Sequence, residues 1–201
     1  MTQCEDAPAQ GGYIVRRAAP EDLERVAAHI WRVTQEDLSY GDRPEWYWDV
    51  ADLRGTYLDN PRHALFVAVD QASGALIGTT AVHSRGPKSP PHPQWLAERY
   101  AGPDSAQLMR VYIARGHRRR GAARALVEAA RRFVAAEGGY RTIYLHTDPL
   151  RYPDAERFWR AMPTREMYDA RGRGELSQAL HFELELPAQE PEENHDPRQH
   201  H

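Results

Sequence analysis

The stretch from Gln107 to His146 constrains the fold of this chain more than any other. Gln107 to Ile113 is rich in β-favouring side chains and predicts a strand. From Arg119 to Ala136 the residues Ala122, Ala125, Leu126, Ala129, Ala130 and Phe133 recur at helical spacing, which predicts a strong helix, ended by Gly138 and Gly139. Arg141 to His146 predicts a second strand. A strand, a helix and a strand joined this closely make a β-α-β unit, so the two strands should lie parallel.

The flanking sequence predicts further elements. Tyr13 to Arg17 reads as a first strand, and Pro20, Glu21, Asp22 and Leu23 as a helix start whose acidic residues suit the dipole. Val26, Ala27, Ile30 and Val33 give that helix its apolar face. A second helical region is expected over Glu45 to Tyr57, stopped by Asp59, Asn60 and Pro61. Ala64 to Val69 and Ala75 to Val82 form a hairpin through Asp70 to Gly74. Residues 84 to 105 contain five prolines and read as a long irregular loop, suited to one wall of a substrate site. Ala155 to Met162 follows as a short helix and Leu180 to Leu186 as a closing strand.

At 201 residues the chain fits one domain. Residues 1 to 12 and about 187 to 201 are rich in Pro, Glu, Gln, His and Gly and have little apolar surface to bury, so they read as disordered tails around a domain over 13 to 186. The three histidines from Asn194 to His201 have no helical or strand spacing and belong to a solvated tail. Cys4 is the only cysteine and lies in the first tail, which excludes an intrachain disulfide and a cysteine-based metal cluster. A net charge of -3 argues against general affinity for nucleic acid or anionic membrane. No apolar stretch approaches the roughly 20 residues of a membrane span, and Met1 to Gly12 lacks the pattern of a signal peptide. A cytoplasmic location is the expectation.

Against this acidic balance stands one basic concentration: Arg115, Arg118, Arg119, Arg120 and Arg124. It falls where the strand turns into the long helix. The amides at a helix start lack intrahelical partners and together carry about half a positive charge, so they suit phosphate oxygens. Gly121 and Ala123 keep side chains from holding such a ligand off the backbone. Three consecutive arginines at a helix N-terminus oppose the dipole and repel one another, an arrangement that an anion relieves.

The pattern Arg118-x-x-Gly121-x-Ala123 is similar to the Arg/Gln-x-x-Gly-x-Gly/Ala motif of the GNAT acetyltransferases, and Ala106 to Ile113 resembles that family's fourth strand. The resemblance implies an α/β (α+β) fold with a single mixed sheet of six to seven strands flanked by about four helices. It implies acetyl-CoA as cosubstrate, with its pyrophosphate on Arg118, Arg119, Arg120, Gly121, Ala122 and Ala123 and its pantetheine arm along Val111 and Ile113. The reaction it implies is direct attack by a primary amine of a small molecule, peptide or protein in a ternary complex, without a metal. Similar proteins are often dimers, so a homodimer stays open.

The sequence departs from the family where acid–base chemistry is done. Gln107 stands where many members carry a glutamate base, and Trp159 where many carry a tyrosine acid; neither exchanges a proton at neutral pH. Substitutes are His83, His146 and Tyr152, with Asp148 nearby. Glu36 and Asp37 suit a cationic amine, and Trp46, with Tyr47 and Trp48, an apolar or cationic substrate. His92 has no role readable from sequence. A second reading keeps the fold and ligand but not catalysis: an acyl-CoA-binding sensor or regulatory module. A third, nucleic-acid binding by the arginine cluster, is weakened by the acidic overall charge and the lack of interleaved aromatics.

Overall fold

A computed structural model describes residues 8–9, 12–37, 44–137 and 139–187. In chain order the elements are β1 (Pro8–Ala9), β2 (Tyr13–Arg17), α1 (Leu23–Arg32), β3 (Ala64–Asp70), β4 (Leu76–His83), α2 (Gln94–Arg99), β5 (Ser105–Ile113), α3 (Ala122–Glu137), β6 (Thr142–Thr147), α4 (Pro153–Arg160), β7 (Thr164–Asp169) and β8 (Leu180–Leu184). They form one mixed sheet in the order β1-β2-β3-β4-β5-β6-β8-β7. Among the described residues only β5 and β6 pair in parallel, across the α3 crossover, and every other pairing is antiparallel. Seven strands of five residues or more, with four α-helices, meet the expected α/β architecture.

Strand alternation divides the core by face. On one face Leu126, Val127, Ala130 and Val134 of α3 pack on Phe66, Leu108, Ile143, Leu145 and Phe182. On the other, Val26 and Ile30 of α1 cover Leu65, Val67 and Ala81. Farther along that second face, Leu96 and Tyr100 of the α2 region cover Tyr144. Each fully buried Val, Leu, Ile or Phe side chain among these contributes about 1.5–3 kcal/mol. Among the described residues no helix is long and apolar enough to cross a membrane.

Several elements differ from expectation. The single helix expected over Glu45 to Tyr57 is broken into 3-10 turns at Pro44–Trp46 and Val50–Asp52 and a wide turn at Arg54–Leu58. Asp49, in the first break, is drawn into a buried ion pair with Arg110, and that tertiary bond overrides helix continuity. The proline-rich 84–105 segment contains α2, because Pro93 falls at the N-cap, where its missing N–H costs nothing. β7 escaped detection since its TREMYD sequence has the charged, half-exposed character of an edge strand. α3 starts three residues later than its periodicity suggests, because Arg119 (φ 65°) and Gly121 (φ 84°) are left-handed. Pro8 and Ala9 pair with β2, inside the stretch that composition assigned to a tail. Cys4, Gly138, residues 1–7 and residues 188–201 lie outside the described residues.

Candidate active site

A cleft opens where the parallel pairing ends. The β5–β6 ladder runs through Ser105↔Thr142, Ala106↔Ile143 and Gln107↔Tyr144 and stops there, although β5 continues to Ile113 and β6 to Thr147. Among the described residues β5 has no strand neighbour on its β6 side from Leu108 to Ile113. Its other edge is bulged against β4 between Thr79 and Ala81. Opposite that bulge Arg110 adopts φ 58°, which costs a non-glycine residue about 1–2 kcal/mol. The conformation is held from both sides. Thr79 Oγ1 donates to Arg110 O at 2.9 Å, and the guanidinium donates to Asp49 Oδ2 at 3.1 Å, to Asp49 Oδ1 and to Trp46 O. Tyr57 Oη also donates to Asp49 Oδ2, at 2.7 Å. Burial pushes the Asp49 carboxyl up, yet the bonds from Arg110 and Tyr57 outweigh it, so Asp49 titrates below the usual carboxylate range.

Beyond Ile113 the chain enters the basic bend. A 3-10 turn spans Arg115–His117, and Arg118 is extended, with its Nε donating to Ile113 O at 3.0 Å. Tyr13 Oη donates to Arg120 O at 3.3 Å and fixes the bend on β2. A Cβ at Gly121 would lie 3.2 Å from that same hydroxyl, at a positive φ that disfavours any side chain. Among the described residues no protein acceptor takes the amides of Arg120, Gly121, Ala122 or Ala123. The side chains of Arg118, Arg119 and Arg120 are exposed around them. This is an anion-binding geometry: unpaired amides at a helix start, small residues beside them and cations at the rim.

The face opposite α3 carries polar side chains on both sides of the split. The register places His83, Gln107, Tyr144 and Glu183 in one row across four strands, and His146, His181 and Tyr168 in the next. Gln107 thus lies between an imidazole from β4 and a phenol from β6. His83 is buried, accepts the Arg85 amide at its Nδ1 (2.9 Å) and turns Nε2 to Met109 Sδ (2.9 Å). Burial, then the charges of His63 and the nearby arginines, lower its pKa to about 3, against the raising effect of Asp49. Trp48 stands edge-on to His83 at 5.5 Å, with Arg85 over its indole.

The Acetyltransferase (GNAT) family model matches residues 23–162, more than half of the chain. The chain belongs to the GNAT acetyltransferase family. No curated protein matches it in sequence. Among solved structures it is similar to a GNAT-family acetyltransferase from Staphylococcus aureus Mu50, at 14% identity and TM-score 0.65, over 87% of this chain and 99% of that one. An acetyltransferase from Streptococcus agalactiae aligns at 12% identity and TM-score 0.63, over 86% and 98%. Spermidine N-acetyltransferase from Vibrio cholerae, solved with CoA and spermine, aligns at 17% identity and TM-score 0.59, over 86% and 95%.

Within this GNAT domain the site residues expected from sequence fall in three places. Val111, Ile113 and Arg118–Ala123 form one continuous path from the split strand into the bend. His83, Gln107 and His146 lie on the α1 face of the sheet near the split. Glu36 and Arg32 line a cavity of about 310 Å³ whose other wall is Ala114, Arg115 and His117, the segment that leads into the bend; the side chain of Asp37 lies outside the described residues. Trp46 is exposed, and its carbonyl anchors Arg110. Tyr152 is the N-cap of α4, and Asp148 makes the turn before it by accepting the amides of Leu150 and Arg151. Trp159 packs in the main core against Phe158, so at the expected acid position it is a core residue. The Asp49–Arg110 pair was missed, because two oppositely charged residues 61 positions apart carry no local signal.

Proposed function

We propose that this GNAT protein transfers an acetyl group from acetyl-CoA to a primary amine of a small molecule, peptide or protein, by direct attack in a ternary complex. The observation that carries this reading is an amide-lined bend placed directly beyond a split parallel strand pair. The amides of Arg120 to Ala123 would take the pyrophosphate oxygens, with Arg118, Arg119 and Arg120 adding charge at the rim. The free edge of β5 at Val111 and Ile113 suits the amides of the pantetheine arm, as an added strand would. A backbone N–H near the Arg110 bulge suits the oxyanion that forms when the amine attacks the thioester carbon.

Calorimetric titration with acetyl-CoA, combined with free-thiol release on a panel of amines, tests this. The intact protein should bind and turn over. Gly121→Val, which forces a branched side chain onto φ 84° and against Tyr13, should bind acetyl-CoA at least 10-fold more weakly while keeping a folded circular dichroism spectrum. Equal affinity in the two proteins would remove the reading. Gln107 at the usual base position favours the second reading, an acyl-CoA sensor; tight binding with no thiol release on any amine would support it.

A further inference from the structure

Just past the split, the α1 face holds a cluster of side chains that acetyl-CoA binding leaves without a task. His146 and His181 are register partners on β6 and β8, with ring centroids 5.9 Å apart. His92, from the turn before α2, lies against both rings, 4.4 Å from His146 and 5.2 Å from His181. The Tyr144 hydroxyl bridges the pair, 2.8 Å from His181 Nδ1 and 3.2 Å from His146 Nδ1. A hydroxyl has a single proton, so it donates to one imidazole while the other presents an N–H to its oxygen. That arrangement is a continuous path for a proton: His146 Nδ1, Tyr144 Oη, His181 Nδ1.

Two nitrogens of the cluster, His181 Nε2 and His92 Nδ1, are buried and find no partner among the described residues. His181 is fully buried. An orphaned buried polar atom costs about 1–3 kcal/mol, which a purely structural cluster would avoid by carrying apolar residues. His146 has exposed surface at the mouth of the cluster although its ring is surrounded closely enough for burial to lower its pKa, and it is the first residue on this face of β6 beyond the last β5–β6 pair. The donor atoms are not arranged as a cation site: among the described residues no three His, Cys, Asp or Glu side chains are placed to hold a metal ion.

We propose that His146 takes the proton released by the attacking amine, and that Tyr144, His181 and His92 are positioning residues that orient its ring and share that proton, where Gln107 leaves β5 without a base. The proposal rests on the acetyl-transfer reading. The amine lone pair forms the N–C bond to the thioester carbon while the carbonyl π pair moves onto oxygen. The N–H proton passes to His146, and collapse of the intermediate breaks the C–S bond. The thiolate takes a proton from water, and the imidazolium returns its own to the hydroxide formed.

Burial keeps the cluster neutral, and it holds His146 well below the ordinary imidazole range, with His92 and His181 adding to the effect. Tyr100 from the end of α2 lies tilted against Tyr144 at 4.5 Å, and Tyr168 of β7 lies 5.9 Å from the His181 ring. Glu183 on β8 is already bonded to Arg99, Tyr100 and Arg165. Asp169 of β7 raises the pKa of His181, but burial, then His92, outweigh it and lower it to about 3; burial brings His92 to about 4. At neutral pH these imidazoles therefore keep a free lone pair, and being weak bases they pass a proton on rather than hold it.

The test runs on the full chain in two arms. In turnover on a reactive amine from the panel, His146→Ala should lower kcat on the order of 100-fold, the size typical of a lost general base, with acetyl-CoA affinity unchanged. Added imidazole should restore part of that rate, and Tyr144→Phe should lower kcat several-fold with the KM for acetyl-CoA unaltered. Wild-type kcat in His146→Ala, or loss without imidazole rescue, overturns the proposal and leaves acetyl transfer standing. A protein that binds no acetyl-CoA overturns both. The second arm needs no acceptor: nitrogen NMR of the imidazoles should show Tyr144→Phe shifting Nδ1 of both His146 and His181. A wild-type His146 that titrates near 6.5 and ignores Tyr144→Phe overturns the proposal by itself.

Discussion

The bend at Arg118–Ala123 follows β5, and the imidazole face past the split is built on the strands around it, yet the two work by opposite means. At the bend the chemistry is in the backbone: exposed side chains, two left-handed residues and amides with no protein acceptor. On the imidazole face it is in side chains from β4, β6, β8 and the turn before α2, most of them buried and held neutral. Gripping an anion needs only a local chain path that leaves amides pointing outward. Setting a histidine's protonation needs desolvation, and only packing from distant segments supplies that.

If the contrast is right, damage to packing should spare the bend. The largest effect is expected from Asp49→Ala, which leaves the buried Arg110 cation unpaired and should cost about 3–5 kcal/mol in urea unfolding. In the folded fraction acetyl-CoA affinity should stay within about threefold, because the 114–123 path does not depend on that pair; a 10-fold loss would break the distinction. A smaller effect is expected from pH. His83 stays neutral in the folded protein down to about 3, whereas the unfolded chain protonates it near 6.5. Between those values the unfolded state holds the extra proton, so stability falls as pH falls from 6.5. The slope from one such buried histidine is about 1.4 kcal/mol per pH unit. Unfolding of His83→Gln between pH 6.5 and 4 should show that much less slope, and an unchanged slope would mean that His83 is not held neutral. The smallest effect belongs to the bend: Arg119→Gly should relieve the strain at φ 65°, less the added entropy of an unfolded glycine, for a net gain of about 0.5 kcal/mol in thermal unfolding.

The bend and its unit could be read from residues 107 to 146 because most of what defines them is short-range, the Tyr13 bond to Arg120 O apart. Helical periodicity, a strand before it, a glycine where φ turns positive and small residues beside the amides are all encoded within a few positions of one another. The same local reading failed at Glu45–Tyr57, where the Asp49–Arg110 bond broke the helix, and in the 84–105 loop, where Pro93 capped α2 and so brought His92 over the sheet. His181 lies in a strand that the sequence did predict, but its meaning comes from pairing with His146.

By itself the sequence determined the β-α-β unit, the family motif and the small residues beside the turn, since short-range patterns suffice for each; the left-handed Arg119 inside that turn is not among them. Tertiary structure alone decided which histidines lose their water and which of them share a hydroxyl. Burial and register are properties of strands brought together across the sheet, and no local pattern carries them.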